Sequence, residues 1–199
     1  DRKLLTNVND KIYQIEKFLA VFDLGKIYNL YDGLTTARKS LVKPLLISDA
    51  NYIKQWQKIK FEGKDFEEGT QEIYTERGER VRSKSEKIIA DKLFLKNIPY
   101  QYERPIYLKG YGTVYPDFHC LDISRRKEII WEHFGMMGDE EYSRKAFRKI
   151  DLYTQNGYYH GDNIIYTFES SDNPMNTKIV DILIQNSLSH CFPTPNMLY

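Results

Sequence analysis

Apolar residues in the first 42 positions recur with the period of an α-helix. Spacings of three and four residues separate Leu5, Val8, Ile12, Ile15, Leu19 and Phe22, which places them on one side of a helix. A second stripe runs from Ile27 to Leu41, after a turn signal at Asp23-Leu24-Gly25. The pattern predicts an antiparallel helical hairpin over residues 4–42. A coiled coil between chains is the alternative, although it favours a longer repeat.

The next segment changes from apolar periodicity to turn and charge signals. Ser48-Asp49 is a typical N-cap for a short helix reaching about Lys58. Residues 61–78 contain three glycines and many charges, a composition typical of a linker. We therefore predict a helical segment over residues 1–60, a linker over 61–78 and a separate domain over 79–199.

From Glu79 onward, helical and strand-like patterns alternate. Helical periodicity predicts helices over residues 79–96, 139–155 and 177–188. Runs rich in β-branched and aromatic residues predict strands over 100–108, 113–120, 127–134 and 163–168. The resulting order, α-β-β-β-α-β-α, indicates an α/β domain with a mixed sheet covered by helices.

Composition and charge exclude only a few classes of function. No run of about 18 apolar residues is present, which predicts no membrane span, and the first residues lack the apolar centre of a signal peptide. Two cysteines among 199 residues fit a reduced, cytoplasmic setting. The net charge of +1 neither supports nor excludes nucleic-acid binding, but basic residues do cluster at 77–87, 125–127 and 144–149.

Two carboxylates on neighbouring strands form the candidate chemical site. If residues 123–126 make a four-residue loop, Asp122 faces Lys127, and counting back along both strands places Asp117 opposite Glu132. Opposed side chains share a face of the sheet, about 5 Å apart at Cβ. Two like charges at that distance repel unless a cation lies between them, and Mg²⁺ prefers one or two carboxylates plus waters.

These residues carry a resemblance to a known superfamily. The segment Tyr115-Pro116-Asp117-Phe118, followed after a hairpin by Trp131-Glu132-His133-Phe134-Gly135, resembles the Pro-Asp…Asp/Glu-x-Lys signature of the PD-(D/E)XK nucleases. The likeness covers about residues 77–188, and the Trp-Glu-His-Phe-Gly motif is similar to a bacterial branch of mostly uncharacterised proteins and helicase-associated nuclease modules. It implies a restriction-endonuclease-like αβββαβ core and hydrolysis of phosphodiester bonds, with DNA as the expected substrate.

The resemblance also implies roles for individual residues. Asp117, Glu132 and the backbone carbonyl of His133 would hold Mg²⁺ or Mn²⁺, and Glu86 on the preceding helix would assist directly or through water. Arg82, Lys84 and Lys145 would contact nucleic acid. His119 lies on the Asp117 face by strand alternation, and is therefore expected beside the site.

One position departs from the superfamily pattern. Where its lysine usually stands, two residues after Glu132, this chain has Phe134. The following helix offers Lys145 and Lys149, and the spacing of Tyr142, Lys149 and Tyr153 is the part that resembles the bacterial branch. We predict that Lys149 supplies the missing charge, with Tyr142 and Tyr153 around it.

Three other interpretations remain open at this point. The first is a catalytically inactive nucleic-acid-binding module on the nuclease fold. The second is a helical interaction module whose N-terminal hairpin binds a protein partner or a second copy of the chain. The third, a zinc site, would use His119-Cys120 and His190-Cys191, although the close ligand spacing of zinc sites is absent.

Overall fold

The computed structural model describes residues 2–21, 26, 30–44 and 47–188. The chain divides into two compact units, residues 1–52 and 53–199. This boundary differs from the predicted division at residue 60, because the short helix α3 (Asp49–Gln57) runs across it. Trp56, near the end of α3, is buried in the second unit.

The first unit is helical. Helix α1 spans Arg2–Val21 and leaves Leu5, Val8, Ile12 and Ile15 exposed. Residues 22–25 and 27–29 of the predicted hairpin lie outside the described residues. The predicted second helix is not continuous: helical residues 30–32 are followed by a turn at Gly33, and α2 covers only Thr36–Lys39. Glycine within a helix is unfavourable by about 1 kcal/mol, and Thr35 precedes α2 with an extended backbone.

The second unit is a mixed α/β domain built on a four-stranded sheet. Its strands are β3 (Tyr100–Tyr102), β6 (Phe118–Asp122), β7 (Lys127–Phe134) and β8 (Ile164–Phe168). The spatial order is β3-β6-β7-β8, with β7 and β8 parallel and the other pairs antiparallel. The mixed sheet predicted from the sequence is therefore confirmed.

Two predicted long strands are each broken in two. The run 100–108 divides into β3 and β4 (Ile106–Leu108), and the run 113–120 divides into β5 (Gly112–Val114) and β6. Strands β4 and β5 pair with each other in a separate two-stranded sheet. The first break has a local cause, because Glu103 has a φ of 48° and Pro105 carries no N–H for a strand ladder.

Residues 61–78 are not a simple linker. Strand β1 (Ile73–Tyr74) pairs with β2 (Arg80–Val81), and Phe66 packs against the domain core. The pairing of residues 80–81 also moves the start of the next helix. Helix α4 covers Lys84–Leu95, and the Ser83 side chain accepts a hydrogen bond from the Glu86 N–H as its N-cap.

Helices cover both faces of the sheet. On one face, α4 and α6 (Thr177–Leu188) pack on Phe118, Cys120, Ile129 and Trp131. On the other, α5 (Glu140–Gln155) packs on Ile130, Phe134, Ile164 and Tyr166. Successive side chains of a strand point to opposite faces, so Glu132 lies on the α5 face. Within the described residues, no helix has the length and apolar character needed to cross a membrane.

Candidate active site

The β6–β7 hairpin has the register predicted from the sequence. Asp122 pairs with Lys127, and Phe118 pairs with Trp131 at the other end of the ladder. Asp117 stands one residue before β6, where its carbonyl accepts a hydrogen bond from the Glu103 N–H at 3.0 Å. Its side-chain Oδ2 accepts the His133 N–H at 2.6 Å. Asp117 is therefore fixed against the peptide that follows Glu132.

Both carboxylate oxygens of Glu132 have partners on helix α5. Lys149 Nζ contacts Oε1, and the Tyr153 hydroxyl donates to Oε2 at 2.8 Å. Glu132 is only 4% exposed. Lys149, which was expected to supply the missing positive charge beside Asp117 and Glu132, thus contacts the Glu132 carboxylate.

Burial and like charge act together on Asp117. Burial raises the pKa of Asp117 well above its usual range, and the charges of Glu132 and Glu86 raise it further. The His133 N–H and the Lys149 ammonium oppose this shift without cancelling it. The site therefore holds an excess of negative charge that favours a proton or a cation at Asp117.

Lys149 remains charged in this setting. Burial by itself lowers the pKa of Lys149, but the Glu132 carboxylate and the charge of Asp117 outweigh burial, so the pKa lies above its ordinary value. Burial raises the pKa of Tyr153, and the same carboxylates raise it further. Both groups therefore stay protonated at neutral pH and act as donors to Glu132.

Phe134, at the position where the resemblance expected a lysine, belongs to the apolar core. Its ring is buried and stacks on Phe168 with centroids 5.5 Å apart, and Tyr166 lies 5.9 Å away. Residue 134 is thus part of the apolar core beneath α5. Tyr142, Lys149 and Tyr153 recur on one stripe of that helix, and the Tyr142 hydroxyl accepts the Gly135 N–H at 3.3 Å.

Glu86 lies near the site but has protein partners. Its Oε2 accepts the Tyr102 hydroxyl at 2.7 Å and the Arg82 N–H at 2.9 Å. Its charge still acts on Asp117. Within the part of the chain that the structure describes, no three His, Cys, Asp or Glu side chains are grouped closely enough to hold a metal ion.

The residues present fit a divalent cation held by fewer side chains. Asp117, Glu132 and Glu86 carry three negative charges against the single positive charge of Lys149 when all are ionised. One divalent cation would balance that excess. Mg²⁺ commonly takes one or two carboxylates and completes its shell with waters, so Asp117, Glu132 and the His133 carbonyl would form a sufficient protein ligand set.

The three residues expected to bind nucleic acid differ in their exposure and in their protein partners. The Arg82 guanidinium pairs with Glu103 at 2.6 Å and donates to the carbonyls of Lys64 and Asp65, so protein groups already satisfy it. Lys84 is exposed. Lys145 is also exposed, and its partner is Glu141, one helical turn earlier.

His119 faces a neighbouring polar cluster. Its ring is buried, with Nδ1 at 3.7 Å from Glu128 Oε2, and burial lowers its pKa. Glu128 also accepts the Trp56 indole N–H at 2.6 Å. Cys120 is buried in the core on the opposite face, so these two adjacent residues do not converge as zinc ligands. His190 and Cys191 lie outside the described residues.

Several polar contacts of the site have no local signal in the sequence. Tyr102 holds Glu86, and Thr167 and Glu169 surround the His133 ring. Their partners are 16 to 36 residues away along the chain. The position of Glu169 directly after a buried strand is the one feature that could have marked it.

Comparison with known proteins gives one distant relative. The chain is 38% identical over 120 residues to a protein of Methanocaldococcus jannaschii described as "Uncharacterized protein MJ1519". The match covers 59% of this chain and 9% of the archaeal protein. No protein-family model matches the chain, and no solved structure does.

Proposed function

We propose that this chain carries a metal-dependent nuclease of the PD-(D/E)XK kind, with a restriction-endonuclease-like core. The observation that carries the proposal is the contact of Lys149 Nζ with the buried Glu132 carboxylate, beside an Asp117 whose pKa is raised. The element order from α4 to β8, with β8 parallel to β7, supports the same assignment.

The reaction would be hydrolysis of a phosphodiester bond. Asp117, Glu132 and the His133 carbonyl would hold Mg²⁺ or Mn²⁺, which supplies Lewis-acid polarisation of the phosphate and a lower pKa for an attacking water. Lys149 places a fixed positive charge where negative charge grows on the phosphate oxygens. Tyr153 holds Glu132 in one orientation throughout.

DNA is the proposed substrate because the resemblance is to nucleases of DNA. Lys84 and Lys145 are exposed and available for phosphates. Arg82 would have to release Glu103 and two backbone carbonyls before it could bind a phosphate. We therefore assign Arg82 first to holding Glu103, next to the backbone that anchors Asp117.

A second candidate function is a nucleic-acid-binding module without catalysis. Phe134 in the core and the protein partners of Glu86 favour it. The two candidates differ in one measurable respect, because only the nuclease requires a cation at Asp117 and Glu132.

The decisive experiment is a cleavage assay on single- and double-stranded DNA with Mg²⁺, Mn²⁺ or EDTA. We expect cleavage with either metal and none with EDTA, and Asp117→Ala or Glu132→Ala should abolish it. Glu140→Ala is the matched control, since Glu140 is an exposed carboxylate on α5 whose partner is Arg144.

Two results would contradict the nuclease. Cleavage that survives Asp117→Ala at the wild-type rate would show that the site lies elsewhere. DNA binding without cleavage under all three conditions would leave the binding module as the function.

A further inference from the structure

A second polar cluster lies on the other face of the sheet, directly behind the candidate active site. It comprises Ser85 on α4, His133 on β7, Thr167 on β8 and Glu169 just after β8. Ser85, His133 and Thr167 are buried, and the Glu169 side chain is 21% exposed. The proposed reaction uses none of these four side chains. Of these residues, only His133 takes part, and it does so through its backbone carbonyl.

Glu169 makes the connections in this cluster. Its Oε1 accepts the Ser85 hydroxyl at 2.8 Å and lies 3.2 Å from His133 Nε2. Its Oε2 accepts the Met175 N–H at 3.1 Å. The backbone N–H of Glu169 donates to the Phe134 carbonyl at 2.9 Å. One carboxylate thus links helix α4, strand β7 and the chain after β8.

The other side of the His133 ring is also fixed. His133 Nδ1 lies 3.0 Å from Thr167 Oγ1, which accepts the Trp131 indole N–H at 3.0 Å. On its opposite edge the ring lies close to Glu169, with Nε2 at 3.2 Å from Oε1 but without hydrogen-bond geometry. The ring is therefore held between two polar groups and cannot turn freely.

Sequence adjacency connects this cluster to the candidate active site. Ser85 precedes Glu86, whose charge acts on Asp117. His133 follows Glu132, and its N–H donates to Asp117. The two side chains that Glu169 contacts are therefore those of chain neighbours of the two glutamates of the site. Glu169 is thus hydrogen-bonded to Ser85 and in close contact with the His133 ring.

We propose that Glu169 is a positioning residue that fixes α4 and the His133 peptide relative to each other, and so holds Glu86, Asp117 and Glu132 in cation-binding geometry. The cation-binding part of this inference rests on the proposed function. The positioning part concerns the metal-free protein and can be measured without any cation.

The test compares Glu169→Gln with Asp181→Asn. Asp181 is a matched control because it also ties α4 to another element, through Lys92 at 2.7 Å and Lys96 at 3.7 Å, but at the opposite end of that helix. In metal-free buffer, amide exchange of the His133 N–H is measured relative to the Ile130 N–H of the same strand. In a second arm, Mn²⁺ affinity is measured by calorimetry.

For Glu169→Gln we expect His133 exchange to rise about tenfold relative to Ile130, and Mn²⁺ affinity to fall about tenfold, the range seen when outer contacts of metal ligands are lost. Asp181→Asn should change neither. If Glu169→Gln does not fold, Ser85→Ala removes only the α4 contact and should weaken Mn²⁺ binding while leaving His133 exchange unchanged.

An unchanged His133 exchange ratio in folded Glu169→Gln would overturn the positioning role. Wild-type protein that binds no Mn²⁺ and cleaves no DNA would instead overturn the proposed function. The metal-free exchange measurement still decides the positioning role in that case, so the two failures are distinguishable.

Discussion

Lys149 and Glu132 show how one residue pair joins stability to the proposed chemistry. Glu132 is buried, and its charge is balanced by Lys149 and oriented by Tyr153. Removing one partner of a buried pair leaves the other charge uncompensated, which commonly costs about 3–5 kcal/mol. The lysine is therefore part of the fold as well as a candidate for stabilising the transition state.

Lys149→Met should reduce cleavage by about 10²-fold or more, because it removes a preorganised charge from the site. It should also lower the free energy of unfolding in metal-free buffer, since Glu132 is left buried and unpaired. Denaturant titration and initial cleavage rates measure the two effects.

Lys145→Met is the control for this variant. Lys145 is exposed and pairs with Glu141 on the same helix, so stability and turnover should stay near wild type. Equal losses in both lysine variants would show that the effect comes from helix α5 in general and not from the Glu132 contact.

Asp117 gives a prediction about pH. Its pKa is raised in the folded protein by burial and by Glu132 and Glu86, so the folded state binds a proton more readily than the unfolded chain. Stability should therefore fall as pH rises from about 4, the ordinary value of an aspartate, through the raised pKa of Asp117. Each unit by which the pKa of Asp117 in the folded protein exceeds that in the unfolded chain corresponds to about 1.4 kcal/mol of lost stability.

Asp117→Asn should remove this pH-dependent loss of stability. The amide carries no charge, and its oxygen can still accept the His133 N–H. In metal-free buffer the variant should melt above wild type at pH 7 and at the same temperature as wild type near pH 3. Thermal melts across this range test the expectation. A wild-type advantage at pH 7 without metal would contradict it.

At the scale of elements, helix α5 positions three side chains of the candidate site, and hydrogen bonds fix both of its ends. The Asp139 side chain caps its first turn by accepting the Tyr142 N–H at 2.7 Å. At the other end, the Asn156 side chain accepts the Lys109 N–H of the β4–β5 hairpin at 2.6 Å. These contacts fix the stripe of Tyr142, Lys149 and Tyr153 over β7.

Asp139→Ala should therefore lower the free energy of unfolding by about 1 kcal/mol, the usual effect of losing an N-cap. Asp139→Asn should restore most of it, because its amide oxygen can accept the same N–H. Chemical denaturation of the three proteins provides the measurement. Equal stability of the alanine and asparagine variants would show that the cap contributes little.

At the scale of the whole molecule, the α/β unit contains its own core. The two buried clusters of the described residues include none before Val81, and Trp56 is buried through contacts with Glu128 and Gln101. Helix α1 adds no buried residue among those whose side chains are described. The α/β unit thus meets the conditions for folding without the first helix.

We expect a fragment of residues 47–199 to unfold cooperatively, with a melting temperature within a few degrees of the full chain. Matching near-ultraviolet circular dichroism spectra would show the same core packing. A fragment that melts without a cooperative transition would show that the first unit is required for the fold.

Short-range sequence patterns were sufficient to predict the β6–β7 register and the stripe of polar residues on α5. The β6–β7 register follows from one loop length and the two-residue alternation of strands, so the sequence alone predicted it. Helical periodicity places Tyr142, Lys149 and Tyr153 on one stripe of α5, and the resemblance favoured Lys149 over Lys145 as the residue that supplies the missing charge. Both predictions depend on residues within 17 positions of each other, where the chain itself limits the geometry.

Only the tertiary structure decided the contacts between distant segments. Phe66 and Ile73 pack against the core of the α/β unit, which no local pattern in residues 61–78 predicts. Arg82 pairs with Glu103, Glu86 with Tyr102 and Ser85 with Glu169 across 16 to 84 residues. The sequence contains many chemically equivalent partners for each polar side chain. The folded backbone determines which of them lies within hydrogen-bond distance.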